Sequence, residues 1–201
     1  MRTSIWLVRH GQTELNRARR YQSRTNSPLT PFGERQAAAL AGRLRRIPFR
    51  ACVLSPELRA QTTAETIISE RAATFFEDAR WAETAQGAWE GMTYAEVRAQ
   101  FPREAAARFA DPLHGRAAGG ESLADVAARV VEAWRSLLGQ FPGGRVLVVT
   151  NATPIQLVLC MLSGMPPTLH WRWRADLGSV TAVDVYGTSA IIRMVNEVPR
   201  L

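Results

Sequence analysis

Short, nearly continuous apolar runs alternate along the chain with longer segments in which apolar residues recur every three or four positions. The first pattern is typical of buried strands and the second of amphipathic helices. The predicted strands are residues 4–8, 50–54, 73–76, 146–149, 179–186 and 190–195. The predicted helices are residues 30–47, 57–70, 122–138 and 154–162, with one or two short helices over 94–109 that break at Pro102.

This alternation predicts an α/β fold, a three-layer α/β/α sandwich with a largely parallel central sheet and helices on both faces. Residues 78–91 and 111–120 lack clean periodicity and are predicted loops. We expect a single domain over residues 1–201, with a lid-like insertion at about 92–120. In such sheets functional residues gather at the carboxyl ends of the strands, which directs attention to the residues that follow each predicted strand.

Composition narrows the class of protein. The 201 residues are 46% hydrophobic and 21% charged, as in ordinary globular domains, and no apolar run approaches the ~18 residues of a membrane span. Cys52 and Cys160 lie in apolar surroundings and are predicted to be buried free thiols. With no apolar leader at residues 1–4, we expect a cytoplasmic protein without membrane contact.

The charge of +7 comes from 25 basic residues that are all arginine. They are scattered and are not interleaved with stacking aromatics, so the pattern does not indicate a nucleic-acid surface. A positive field around one pocket that attracts an anionic substrate is the better interpretation. We therefore expect no nucleic-acid partner.

Candidate chemistry follows three predicted strands and one loop. Arg9 and His10 end the first strand, Arg59 lies in the first helical turn after the second, Glu83 lies in the loop, and Asn151 follows the late buried strand. An imidazole at the rim of a sheet, beside guanidinium groups, suits the binding and transfer of a phosphoryl group.

Four motifs in this order resemble the histidine phosphatase superfamily, the phosphoglycerate-mutase-like proteins, over nearly the whole chain. They are residues 9–11 (RHG), 55–62 (SPELRAQT), 83–91 (ETAQGAWEG) and 150–154 (TNATP). The resemblance implies phosphomonoester hydrolysis of a small phosphorylated metabolite.

In the mechanism implied by this resemblance, a neutral His10 nitrogen attacks phosphorus and carries the phosphoryl group as a phosphohistidine. Its other nitrogen has to be protonated and held by an acceptor, for which we expect a nearby backbone carbonyl. Arg9, Arg59 and Asn16 bind phosphoryl oxygens, and Glu83 protonates the leaving alkoxide and then activates water. The resemblance implies no metal and no cofactor.

Some of these assignments have alternatives. Glu90 lies in the same loop as Glu83, but Glu83 has the matching position four residues before a glycine. Asn16 could instead cap a helix. His114 is interpreted as a surface residue, and His170 as part of a strand edge or a pocket wall.

Asn151 departs from the pattern of the superfamily, which has a second histidine at this position. We expect its amide to donate a hydrogen bond to phosphate from about the same place, without the charge of an imidazolium. Three interpretations are open: an engineered substitution in an intact phosphatase, a natural protein with weakened or altered activity, and a catalytically silent module that binds a phosphate ligand. The third predicts losses elsewhere in the site, yet Arg9, His10, Arg59 and Glu83 are all present.

The other alternative is phosphoryl transfer as in the cofactor-dependent phosphoglycerate mutases. The segment between Gly91 and Gly120 is short and its arginines are spaced out, which favours hydrolysis. Arg108 or Arg116 could hold a carboxylate or a second phosphate, and Trp171 and Trp173 suggest an apolar or ring-bearing leaving group. The last strand or this tryptophan pair could also form a homodimer contact.

Overall fold

Six strands form one mixed sheet in this computed structural model, which describes residues 1–69 and 73–201. The strands are β1 (Arg2–Arg9), β2 (Ala51–Leu54), β3 (Thr74–Glu77), β4 (Arg145–Thr150), β5 (Val180–Tyr186) and β6 (Ser189–Glu197). Their order across the sheet is β3-β2-β4-β1-β5-β6. The first four in this order run parallel, whereas β5 and β6 are antiparallel to their neighbours. The predicted α/β class is confirmed.

Helices cover both faces of this sheet. They are α1 (Glu14–Arg17), α2 (Pro31–Leu44), α3 (Leu58–Ile68), α4 (Tyr94–Gln100), α5 (Pro102–Ala110), α6 (Leu123–Gln140) and α7 (Ala152–Ser163), with 3₁₀ turns at Ala79–Trp81, Gly87–Trp89 and Pro167–Arg172. None of the helices in the described residues is long and apolar enough to cross a bilayer.

Successive side chains of β1 show how the layers are held together. Ile5 and Leu7 pack into a cluster with residues of α6 and α7, whereas Trp6 and Val8 pack on the other face with residues of α2 and α3. Alternation across a strand places neighbours on opposite faces. The middle of β1 is therefore a continuous apolar run, because both faces are covered.

Most predicted elements lie within a few residues of the observed ones. Helix α2 ends at Leu44 where the sequence predicted residue 47, and the 3₁₀ turns fall inside predicted loops or unassigned stretches. Helix α1 was not predicted; it is a single turn that begins at a capping box formed by Thr13 and Asn16. Residue 70, the predicted end of α3, lies outside the described residues.

The segment predicted as a lid folds into α4, α5 and the loop that follows them. Trp89, Val97, Ala105 and Ala117 form a third apolar cluster, distinct from the two beside the sheet. The predicted break between α4 and α5 is confirmed, since α4 ends before Pro102 and α5 begins at it. Cys52 and Cys160 are buried and unpaired, as expected.

Candidate active site

His10 lies at the carboxyl end of β1 with its ring buried and 3% exposed. Its backbone N–H donates to Thr150 O at 3.1 Å, so the ends of β1 and β4 lie side by side. Nδ1 lies 2.7 Å from Gly11 O. A carbonyl can only accept, so Nδ1 carries the proton and Nε2 presents its lone pair. The carbonyl acceptor expected from the sequence is Gly11 O.

Burial, with the positive charges of Arg59 and Arg9 added, holds the pKa of His10 well below its usual range. The ring is therefore neutral at neutral pH. The turn after it is closely packed: a Cβ on Gly11 would lie 2.4 Å from Gly33 O in α2. Only glycine allows this approach of two backbones.

Arg59 reaches His10 from the first turn of α3, and its side chain is buried. Nε donates to His10 Nε2 at 3.1 Å and to Asn151 Oδ1 at 2.9 Å, and Nη2 donates to Ser23 O at 2.9 Å. Nη1 is buried without a hydrogen-bond partner among the described residues. Burial lowers the pKa of Arg59, and the carboxylates of Glu57 and Glu83 oppose that shift.

Arg9 supplies a second donor of the same kind. Its Nη1 donates to Ala175 O at 2.7 Å, whereas its Nε is buried and has no partner among the described residues. An unpaired buried donor costs about 1–3 kcal/mol, and more when it is charged. Two such donors beside His10 fit the oxygens of a phosphoryl group.

The side chain of Asn151 is oriented differently from the sequence prediction, in which its amide donates to phosphate. Its Nδ2 donates to Ser55 Oγ and to Glu57 Oε2, both at 3.1 Å, and its Oδ1 accepts from Arg59 Nε. The N–H groups of the Asn151 amide are thus used inside the protein, where the buried Glu57 carboxylate offers them a charged acceptor. The oxygen of Asn151 is the atom that faces Arg59.

Glu57 is a residue to which sequence reasoning gave no role. It is 4% exposed. Its carboxylate accepts from Ser55 Oγ, from Asn151 Nδ2 and, at 3.2 Å, from the backbone N–H of Glu83. It therefore joins three segments of the site. An acidic residue at the start of a helix, just past a buried strand, is the sequence signal that could have indicated this role.

Glu83 is held near the start of α7 by hydrogen bonds to its carboxylate. Oε1 accepts from Thr84 N at 2.7 Å and Oε2 from Thr153 N at 3.4 Å. Burial lowers the pKa of Arg9 and the charge of Glu83 opposes that shift, which places Glu83 in the field of the pocket. Glu90, the alternative, instead accepts from the backbone N–H groups of Ser23 and Thr25, an arrangement typical of a residue that fastens a loop.

Asn16 takes part in helix capping. Its Oδ1 accepts from Thr13 N at 3.1 Å, and no hydrogen bond joins it to His10, Arg9 or Arg59 within the described residues. His114 is exposed and pairs with Asp111, as predicted for a surface residue.

Beside Glu83 lies a cavity of about 320 Å³, which we call the lid cavity. Apolar and polar side chains line it, from the loop that contains Glu83, from the segment predicted as a lid, and from the helices and 3₁₀ turn that follow. Its lining residues are Thr84, Gln86, Arg108, Phe109, Pro112, Leu123, Thr153, Thr168, His170 and Trp171. His170 is thus a pocket-wall residue, in a 3₁₀ turn rather than at a strand edge.

The histidine phosphatase superfamily (branch 1) matches residues 5–198, and the chain belongs to this superfamily. Relatives with 28–32% identity are named as phosphatases or phosphoglycerate mutases. The resemblance drawn from the four motifs is therefore confirmed.

Individual relatives match over different shares of their length. The bifunctional protein Rv2228c of Mycobacterium tuberculosis (strain ATCC 25618 / H37Rv) is 38% identical over 97% of this chain, and the chain spans about half of that relative (54%). The adenosylcobalamin/alpha-ribazole phosphatase of Escherichia coli (strain K12) is 29% identical over 96% of this chain and 95% of its own length. The crystal structure of the alpha-ribazole phosphatase from Shigella flexneri has a TM-score of 0.92 at 28% identity, covering 99% of this chain and 98% of that one.

Proposed function

We propose that this protein hydrolyses a phosphomonoester of a small metabolite through a phosphohistidine at His10. The observation that carries the proposal is the lone pair of a buried neutral His10 beside two unpaired guanidinium donors, Arg9 Nε and Arg59 Nη1. Phosphoryl transfer needs a nucleophile, cations on the transferred oxygens and a proton for the leaving group. The described residues include a candidate for each.

In the first step His10 Nε2 attacks phosphorus, and the ester P–O bond breaks with its electron pair on the leaving oxygen. The Arg59 Nε–H is shared between His10 Nε2 and Asn151 Oδ1 in the free protein. When substrate binds, it stays on Asn151 Oδ1 and so releases the lone pair of His10 Nε2, while Arg59 Nη1 donates to a phosphoryl oxygen. Nδ1 keeps its proton and donates a hydrogen bond to Gly11 O, which stabilises the positive charge that develops on the ring. Glu83 donates the proton to the leaving oxygen.

In the second step Glu83, now a carboxylate, takes a proton from water, and the oxygen attacks phosphorus. The P–N bond breaks, His10 recovers its lone pair and orthophosphate leaves. The same residue is acid in one step and base in the next, as microscopic reversibility requires of similar two-step hydrolyses. Its hydrogen bonds to Thr84 N and Thr153 N keep the carboxylate at one place through both steps.

Asn151 is proposed to position Arg59 rather than to donate to phosphate. Its Oδ1 holds Arg59 Nε, while Ser55 and Glu57 hold its Nδ2. The site then lacks one donor to the transferred oxygens, and loss of such a donor lowers rates by about 10²–10³. We therefore propose a working but slowed phosphatase, whether the asparagine is natural or engineered.

The alternatives have less support. A catalytically silent module does not need a protonated Nδ1, an unprotonated Nε2 beside two guanidinium groups and a held carboxylate together. Phosphoryl transfer as in the cofactor-dependent mutases needs charge for a second phosphate, yet Arg116 pairs with Asp125 at the surface, 3.1 Å away, and leaves Arg108 as the lid arginine that lines the cavity. Buried free thiols at Cys52 and Cys160 suit a reducing cytoplasm, and a homodimer contact at the exposed Trp171 stays a prediction.

Trapping the phosphoenzyme tests this proposal. The protein is mixed with 4-nitrophenyl phosphate, quenched within milliseconds and analysed by tandem mass spectrometry under conditions that preserve phosphohistidine. We expect a phosphoryl group on His10, and neither the adduct nor turnover in His10→Ala. His114→Ala, an exposed histidine variant, is the matched control and should behave as the unchanged protein. Unchanged turnover in His10→Ala, or a phosphoryl group on another residue, would overturn the mechanism.

A further inference from the structure

The lid cavity opens at the group that is proposed to protonate the leaving oxygen. Thr84 and Thr153 line the cavity, and their backbone N–H groups are the two that hold the Glu83 carboxylate. The alcohol part of a bound ester has to lie next to that carboxylate. If the proposed function holds, the lid cavity is therefore where the leaving group binds, and its lining indicates which leaving groups fit.

Two aromatic side chains on separate segments line this cavity and are largely exposed. Phe109 near the end of α5 is 57% exposed, and Trp171 in the last 3₁₀ turn is 65% exposed. Pro112 and Leu123 add further apolar surface. Exposed aromatic surface at a cavity marks a binding site for an apolar group, and a flat ring covers such surface most completely.

Arg108 adds a held cation to the same wall. Its Nη1 donates to Gly115 O at 2.9 Å, and its guanidinium lies 5.7 Å over the ring of the buried Trp89. It forms no ion pair with a carboxylate within residues 1–69 and 73–201. Its remaining N–H groups and its charge are thus available to an acceptor in the cavity.

The histidine in this wall does not add a second charge. His170 Nδ1 lies 3.1 Å from Pro167 O and so carries the proton. Burial is the main reason that the pKa of His170 lies below its usual value, and the ring is neutral at neutral pH. The cavity therefore offers one cation beside apolar walls, which suits a singly charged group attached to a ring better than a second phosphate dianion.

We infer that the substrate is a phosphate ester whose alcohol part carries a flat apolar ring and a carboxylate or similar acceptor that binds Arg108. This inference rests on the proposed function. The ring covers Phe109 and Trp171 while the ester oxygen faces Glu83. Arg108 gives the ring one preferred orientation, because its guanidinium is already fixed by Gly115 and Trp89.

Three phosphate esters of primary alcohols test the inference: ethyl, benzyl and 4-carboxybenzyl phosphate. Their leaving oxygens are chemically alike, so differences in kcat/KM report binding of the rest of the molecule. We expect kcat/KM to rise about tenfold or more from ethyl to benzyl, as a ring is buried. A further rise of about tenfold is expected for the carboxylate, from a charge-assisted hydrogen bond.

Single substitutions assign each gain to its side chain. Trp171→Ala and Phe109→Ala should each lower the benzyl-to-ethyl ratio of kcat/KM, and Arg108→Gln should lower the carboxybenzyl-to-benzyl ratio by about tenfold. Arg116→Gln is the matched control, since this lid arginine pairs with Asp125 outside the cavity, and both ratios should stay unchanged. Thermal unfolding confirms that each variant is folded.

The outcomes separate this inference from the proposed function. Equal kcat/KM for the three esters, with phosphohistidine still formed at His10, would overturn the inference and leave the function standing. Ratios that Arg108→Gln and Trp171→Ala do not alter would also overturn it. No hydrolysis of any ester and no phosphohistidine would overturn the proposed function itself.

Discussion

The phosphate pocket, defined by Arg9, His10, Arg59 and Asn151, differs from the lid cavity in how its side chains are held. The side chains of His10, Arg59 and Asn151 are buried, and each makes hydrogen bonds to groups at the ends of β1, β2 and β4 or in the loops beside them. The lid cavity has exposed aromatic rings on a short helix and a 3₁₀ turn, with Arg108 as its cation. One region is fixed by the sheet, whereas the side of the other that α5 forms packs on a small separate cluster around Trp89.

This difference suggests that the phosphate pocket carries out the reaction and that the lid cavity selects the substrate. Groups that transfer a phosphoryl group need fixed positions, because their effect depends on alignment within fractions of an ångström. Groups that select a leaving group can lie on a segment that varies without disturbing the sheet. Variants in the first region should affect every ester, and variants in the second should affect ratios between esters.

The largest effect is expected for Arg59→Gln. It removes the charge that faces His10 and leaves Glu57 buried without its nearest cation, 4.0 Å away. Loss of an arginine that stabilises phosphoryl transfer typically lowers kcat by about 10³–10⁵. We expect a decrease of about 10⁴ in kcat/KM for ethyl and carboxybenzyl phosphate alike, measured by phosphate release.

Arg108→Gln is the counterpart of that variant in the lid cavity. Arg108→Gln should lower kcat/KM for carboxybenzyl phosphate and leave that for ethyl phosphate unchanged, whereas Arg59→Gln should lower both. Circular dichroism and thermal unfolding are needed for Arg59→Gln, because removal of one partner from a buried charged network destabilises a fold by several kcal/mol. If a folded Arg59→Gln protein lost activity on only one ester, the proposed division between the two regions would be wrong.

The next effect is that of Glu83→Gln, at the boundary between the two regions. The amide cannot donate a proton to an alkoxide or accept one from water, and loss of general acid–base catalysis lowers rates by about 10²–10⁴. With ethyl phosphate both steps should slow. With 4-nitrophenyl phosphate, whose leaving group needs no acid, the first step should persist and phosphohistidine should accumulate.

A burst of 4-nitrophenol followed by slow turnover is the measurement that checks this. Glu90→Gln is the matched control from the same loop: we expect it to lower the unfolding temperature, through its hydrogen bonds to Ser23 and Thr25, without a burst. A burst in Glu90→Gln and none in Glu83→Gln would show that Glu90 is the acid and base and that Glu83 has the structural role.

The sequence allowed much of this site to be predicted, because its residues follow buried strands whose pattern is unmistakable. Arg9, His10 and Arg59 lie where parallel strand ends meet, and the structure brings them together as expected. The orientation of Asn151 could not be predicted, because it depends on the Glu57 carboxylate, which belongs to a different strand end. Spacing along the chain does not show which acceptor a buried amide will choose.

For the lid cavity, the sequence predicted only alternative residues that could contact the leaving group. Arg108 and Arg116 were equal candidates, and packing over Trp89 places one beside the cavity while Asp125 holds the other at the surface. Trp171 lines the cavity, whereas the backbone carbonyl of Trp173 accepts from Gln156. Such outcomes depend on contacts between short helices and loops, which local pattern does not determine.

A smaller effect, in the opposite direction, is expected for Asn151→His. A histidine here can accept a proton, present a charged donor to the transferred oxygens and pair with Glu57 on its other side. We expect kcat on 4-nitrophenyl phosphate to rise about 10²-fold. Asn151→Ala should instead lower kcat, since Arg59 Nε and the Glu57 carboxylate lose a partner. No rise in Asn151→His would mean that the pocket works without a second imidazole.

The smallest effect is the pH dependence of His10, which tests how strongly the phosphate pocket is buried and charged. Burial, Arg59 and Arg9 hold the pKa of His10 below the value of about 6.5 that it has in an unfolded chain. Between these two values the unfolded state binds more protons than the folded state, so the free energy of unfolding falls as pH decreases through this window.

Arg9→Gln removes one positive charge beside His10 and should shift the pKa of His10 upward. Titration of the His10 imidazole resonances by NMR measures the midpoint in the unchanged protein and in Arg9→Gln. A midpoint for His10 at or above that of an unfolded histidine would show that burial and the two arginines do not disfavour the charged ring. A midpoint above pH 7 would leave most rings charged at neutral pH, and a charged ring has no lone pair with which to attack phosphorus.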